Sequence, residues 1–223
     1  AMVLTNMAGV LGLQGKGAEA VAMQQKALDI ERRILGSEND DVACSLLNLG
    51  DAYKSQGMHE EARAVLEEGL GIVRRLHPER NVTEGKFLVN LGIIHGAQGR
   101  HEEALAMLGK AHRIYRKTLG ADSSGAGVAI HSLANVLLLQ GKFVEAIAKY
   151  EESLAIRQRA LGGDHPDVAM TLFNMALCKE ILGDVEGAVV CLLEAQSIYR
   201  KRGISHWQAE EVDAMLVRLG RGE

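Results

Sequence analysis

Gly15, Gly57, Gly99, Gly141 and Gly183 stand 42 residues apart, and this spacing limits the fold more than any other feature of the chain. Five residues beyond each glycine is an alanine: Ala20, Ala62, Ala104, Ala146 and Ala188. Seven residues before each is a small residue (Ala8, Gly50, Gly92, Ala134 or Ala176), and a fourth small series runs Ala27, Gly69, Ala111, Ser153 and Ala195. Glycine makes up only 25 of the 223 residues, so four small-residue series in phase are no accident. A fixed period of this length marks an array of stacked supersecondary units.

Each period reads as two helices. In the second, Leu46, Leu49, Ala52 and Tyr53 recur at three- and four-residue spacing and give one apolar stripe. Gly57 stops that helix. Glu60 and Glu61 open the next one, where the helix dipole favours acid, and Arg74 and Arg75 close it. Between them Ala62, Val65, Leu66, Gly69, Leu70 and Val73 form the second stripe. Small residues let the two backbones approach, and one pair cannot bury its apolar face without neighbours. Two prolines and 4% aromatics in the whole chain argue against a β-protein.

The pattern Leu46, Leu49-Gly50, Tyr53, Ala62, Leu66, Gly69 resembles the tetratricopeptide repeat signature. The 42-residue period is longer than the usual one and resembles the kinesin-light-chain type. Its linker is matched by Leu161-Gly162-Gly163-Asp164-His165-Pro166-Asp167-Val168-Ala169 and departs at Leu76-His77-Pro78-Glu79. The resemblance implies an all-α fold: an α-solenoid of five stacked helix-turn-helix repeats in a right-handed superhelix, with a C-terminal capping helix. The repeats fall at about 1–36, 37–78, 79–120, 121–162 and 163–203; residues 204–223 form a cap or a truncated sixth repeat. Ser205-His206-Trp207-Gln208 reads as a capping box opening that last helix, with Trp207 as its packing anchor. Ala1 before Met2 reads as a cut end, and a fragment of a longer protein is expected. Leu4, Met7 and Leu11 of the first helix should have less cover than Leu46, Leu49 and Tyr53. Gly125 and Gly127 should make the start of the fourth repeat the most mobile join, so alanine there should stabilise modestly if neither has positive φ, and destabilise if one holds a left-handed turn.

The chemistry-bearing candidates thin out quickly. His59-Glu60-Glu61 and His101-Glu102-Glu103 begin like a zinc-protease helix, but Arg63 and Leu105 occupy the place of its second histidine. Gly12-Leu13-Gln14-Gly15-Lys16-Gly17 and Gly125-Ala126-Gly127 lack the phosphate-loop spacing. Cys44, Cys178 and Cys191 form no CxxC pair and read as small buried thiols of a reducing compartment, the cytoplasm. Net charge is -4, which gives no pull towards nucleic acid, and no apolar run nears the roughly 18 residues of a membrane span. No enzyme, cofactor or metal site is expected.

One polar series remains. Asn6, Asn48, Asn90 and Asn174 sit two residues before the small residue of each first helix, with Ser132 at that point of the fourth repeat and Asn135 on the same face. The resemblance places that face in a concave groove, where amides can hold the main chain of an extended peptide. The competing reading is that these amides bond between adjacent first helices and set their stacking. Flanking rows are Cys44, Lys86, Val128, Met170; Leu47, Val89, His131, Phe173; and Asp51, Ile93, Asn135, Leu177. Of these, Lys86, His131 and Phe173 are expected to set sequence preference. The expected function is a peptide- or protein-binding module. The alternative is a regulatory array of a larger protein, such as an NTPase receptor, docking intramolecularly. Exposed terminal repeats invite end-to-end self-association.

Overall fold

Helix starts and stops follow the 42-residue register. The structure, a computed structural model, describes residues 1–79, 81–204 and 207–220. These form eleven helices and no strand: α1 Met2–Leu13, α2 Gly17–Leu35, α3 Asp40–Ser55, α4 His59–Leu76, α5 Val82–Ala97, α6 His101–Thr118, α7 Ser124–Leu139, α8 Phe143–Leu161, α9 Pro166–Ile181, α10 Val185–Lys201 and α11 Trp207–Arg218. None is long and apolar enough to cross a membrane.

Side chains 42 residues apart cap α3, α5, α7 and α9. Asn39, Asn81, Ser123 and His165 accept from the backbone N–H of Asp41, Thr83, Ala126 and Asp167. Each such cap is worth about 1 kcal/mol. The five in-phase glycines all take positive φ, between 72° and 82°. At Gly57 the chain turns back so that Met58 N–H reaches Tyr53 C=O, which a residue with a side chain would do only under strain.

The chain divides into two compact units, Ala1–Ile114 and Tyr115–Glu223. In unit 1, α1 to α5 each pack on the next in sequence; in unit 2, α7 to α11 do the same. Small residues set the approach. A Cβ on Gly50 would lie 2.5 Å from Leu66 Cγ, and one on Gly69 would lie 2.5 Å from Phe87 Cζ, so large side chains fill the space that glycine leaves. Acidic linkers are clasped by the basic ends of the even-numbered helices: Arg75 with Glu38 at 2.6 Å, Arg159 with Asp122 at 2.8 Å and Lys201 with Asp164 at 3.0 Å. These pairs are exposed, so solvent screens them and they add little to stability.

Several expectations are corrected. Gly125 and Gly127 lie inside α7 with negative φ, below the Ser123 cap. A Cβ on Gly125 would sit 3.0 Å from the Tyr115 ring, and one on Gly127 would sit 3.2 Å from Arg157 Cγ. Close packing, not a loose join, explains both glycines. Trp207 is 65% exposed and anchors nothing; the rest of the capping box, Ser205 and His206, lies outside the described residues. Cys44 is exposed, whereas Cys178 and Cys191 are buried. In α1, Met7 is exposed and Leu4 and Leu11 are half-buried, whereas Leu46 and Leu49 are fully covered; Tyr53, expected to be better covered than α1, is only half-buried.

Candidate functional site

At about 100° per residue, positions 44, 48, 51 and 55 of α3 fall within one narrow arc, and position 47 turns away from its centre. The same positions recur in α5, α7 and α9, and burial follows the geometry. Cys44, Lys86, Asp51 and Ile93 are exposed; Val128, Met170, Asn135 and Leu177 are half-buried. Leu47, Val89 and His131 are buried, and Phe173 is half-buried. His131, expected as a groove residue that selects sequence, is thus corrected to an interior one with 4% exposure. Ser132, at 4%, is interior too.

In unit 1 the amides stand apart from one another. Asn6 is exposed, and Asn48 is half-buried with no side-chain hydrogen bond among the described residues. Asn90 is buried and accepts from Lys54 Nζ, which also bonds Asp51 Oδ1 at 2.6 Å. Lys86 is exposed beside it on α5.

In unit 2 the amides are tied into a chain of buried polar groups. Arg157 Nη1 donates to Thr171 Oγ1 at 2.9 Å and to Asp167 C=O at 2.8 Å. Thr171 uses its own hydrogen on the Asp167 carbonyl at 2.8 Å, the back-bond typical of a helical threonine. The contact of 3.4 Å to His131 Nδ1 must therefore be donated by the imidazole. That assigns the Nδ1–H tautomer and leaves Nε2 as an acceptor, which Asn174 Nδ2 meets at 3.3 Å. The second hydrogen of Asn174 Nδ2 goes to Asn135 Oδ1 at 3.2 Å, and Tyr150 Oη donates to the same oxygen at 2.6 Å. The His131 and Tyr150 rings lie 5.3 Å apart and tilted.

Electrostatics agree with this assignment. Burial, reinforced by the Arg157 cation, lowers the His131 pKa to about 3, so the imidazole stays neutral. Burial also pushes the Tyr150 phenol well above its ordinary range, keeping its proton in place.

This chain leaves a specific remainder. Among the described residues, Asn174 has both donors engaged and its Oδ1 unused, and Asn135 has its oxygen engaged and its Nδ2 hydrogens unused. Both residues are half-buried, so one acceptor and two donors remain side by side on the α7–α9 face. Phe173, Val128, Met170 and Leu177 are half-buried on the same helices.

Tyr150, Arg157 and Thr171 escaped the reading of the sequence. The signal was present in the register: Tyr150 stands where Leu66, Leu108 and Leu192 stand, and Arg157 where Val73, Tyr115 and Tyr199 stand. Among the described residues no group of His, Cys, Asp and Glu is placed to hold a metal ion.

The tetratricopeptide repeat family profile matches residues 1–75, 84–143 and 126–201. No curated protein sequence matches the chain. Several solved structures share the fold. BtubC (BKLC) from P. vanneervenii is 20% identical with a TM-score of 0.74, over 91% of this chain and 81% of that one. A Podosopora anserina putative kinesin light chain with nearly identical TPR-like repeats is 24% identical with a TM-score of 0.68, over 92% and 97%. A Rap protein complexed with Competence and Sporulation Factor is 12% identical with a TM-score of 0.78, over 97% of this chain and 63% of that one. Identities this low establish the fold alone.

Proposed function

Because the chain belongs to the tetratricopeptide repeat family, we propose that it is a protein-interaction module whose α7–α9 face in unit 2 holds the main chain of an extended peptide. The observation that carries this is the Asn135–Asn174 pair. Its unused Oδ1 suits a peptide N–H, and its unused Nδ2 suits a peptide C=O. The buried chain beneath fixes both amides, so ordering them on binding costs little. Main-chain recognition is indifferent to side chains, and the half-buried Phe173, Met170 and Leu177 favour apolar ones beside it. A similar fold in the Rap protein is recorded with a bound factor.

Asn135→Asp tests this cleanly. The aspartate keeps the oxygen that Tyr150 and Asn174 bond but has no hydrogen to donate outward. With peptides selected on an array and titrated calorimetrically, affinity should fall about two- to twelve-fold for every peptide, the value of one hydrogen bond. The melting temperature should hold. Unchanged affinity in a folded variant would refute the site.

A further inference from the structure

In unit 1 a cleft of about 480 Å³ opens between α1, α2 and α3, and its floor is a residue out of keeping with its register. Gln24 occupies the position of Leu66, Leu108, Tyr150 and Leu192. Elsewhere in unit 1 that position plugs the helix pair: Leu66 closes over Gly50, and Leu108 over Gly92, each so tightly that a Cβ on the glycine would lie 2.5 or 2.6 Å away. Gln24 does not complete such a plug. It is 6% exposed and lines the cleft, and its Oε1 is buried without a hydrogen-bond partner. Buried amide oxygens are almost always satisfied, so an orphan at the base of an open cleft points to a donor that arrives from outside.

The walls say what kind of donor. Gly9 and Gly12 of α1 stand where α3 carries Asp51 and Lys54, and a Cβ on either would meet nothing within 4 Å. That bare backbone faces Asn48, Asp51 and Ser55 of α3. Asp51 is already paired with Lys54 at 2.6 Å, and Ser55 Oγ donates to Ala52 C=O at 2.8 Å. No uncompensated charge is left to favour an ammonium or a carboxylate. What remains are three carboxamides, Gln24, Asn48 and Gln56, none engaged by a side-chain partner among the described residues. A further carboxamide complements them, since it brings a donor and an acceptor together and pairs with Gln24 whichever way that amide is turned. The volume equals roughly sixteen liquid waters at ~30 Å³ each, room for an amino-acid residue and far more than an ion needs.

We propose that this cleft binds the carboxamide side chain of an asparagine or glutamine in a polypeptide partner. The partner's nature rests on the interaction-module reading above; the site itself rests on Gln24 and its cleft. The probe is N-acetyl-glutamine methylamide, titrated into the full 15N-labelled chain, with the capped leucine and capped glutamate as controls. Saturable shifts at Gly9, Gly12, Asn48 and the Gln24 side-chain amide are expected for the glutamine probe and not for the other two. Gln24→Leu, which installs the plug found elsewhere in the register, should weaken probe binding at least tenfold. Gly12→Leu, which grows into open space, should do the same and serves if the first variant folds poorly. Absence of shifts at these residues, or equal shifts from capped leucine, overturns the proposal. A single capped residue does not span the α7–α9 face, so failure there and failure here are read separately: one by Asn135→Asp against long peptides, the other by this probe.

Discussion

Tyr150 in unit 2 and Gln24 in unit 1 hold the same register position, and their polar atoms meet opposite fates. The Tyr150 hydroxyl donates to Asn135 at 2.6 Å, within a chain that continues through Asn174, His131 and Thr171 to Arg157. Gln24 Oε1 has no partner. The difference lies in the surrounding layer. Unit 2 changes several core positions together, so most of these polar groups find a complement, although Arg157 Nε and Gln140 Oε1 have none among the described residues. Unit 1 keeps Leu47, Val89 and Val73 at the positions of His131 and Arg157, and Gln24 is left beside a cleft whose polar walls, Asn48, Asp51 and Ser55, do not pair with its Oε1. Polar core residues are therefore joined as a connected set in unit 2 and left unpaired beside a cleft in unit 1.

The largest test of this contrast is acid. His131 is held neutral in the folded chain with a pKa of about 3, against about 6.5 unfolded. Above pH 6.5 its contribution is complete. As pH falls from there towards 3, the unfolded chain takes up a proton that the folded chain refuses, so stability drops. Over the two pH units below 6.5 this removes roughly 3 kcal/mol at 1.36 kcal/mol per unit. Urea unfolding at pH 7 and pH 4.5 should show that dependence, and His131→Phe, the residue its counterpart Phe173 supplies, should flatten it. In unit 1, burial also lowers the His95 pKa, helped by Arg100 and Arg63, but Glu103 lies 3.3 Å from Nδ1 and opposes the shift. His95→Tyr should flatten the curve less. A greater effect from His95 would break the contrast.

Side-chain deletion should give the next largest difference. Asn174→Ala strips His131 Nε2 of its donor and Asn135 of one of its two, a loss of about 2 kcal/mol. Asn48→Ala, with no bond to lose, should stay within ~0.5 kcal/mol. Equal losses would mean that Asn48 also serves the packing of unit 1.

Glycine replacement should give the smallest. Gly12→Ala adds a methyl group in open space within α1 and should gain about 0.5–1 kcal/mol from reduced unfolded-state freedom. Gly127→Ala forces its Cβ against Arg157 Cγ and Ile156 Cγ2 at 3.2 and 3.3 Å and should lose about 1 kcal/mol. Stabilisation by both would show that α7 and α8 can separate at no cost.

Much of this was legible before any coordinates. The glycine series located the turns, and the small-residue series located the close approaches at Gly50 and Gly69. The amide series named Asn48, Asn90, Asn135 and Asn174 and left open that amides bond between first helices, as Asn174 and Asn135 do. The partners that hold them were not legible. Tyr150 lies 15 residues from Asn135 and Thr171 lies 40 from His131, and no local pattern makes either pairing. Their departure from the register was the available signal.

Sequence by itself determined the helix pairs, their turns and the angular position of each side chain about its helix axis, because a 42-residue period and a 3.6-residue turn leave little choice. Burial was another matter. Position 47 is turned only part-way from the arc of Asn48, yet it is buried, as are Val89 and His131 at the same point of α5 and α7. Hydrogen bonding was further out of reach. Whether a polar atom is satisfied depends on ångström-scale distances among three helices at once, and only the packed structure sets them.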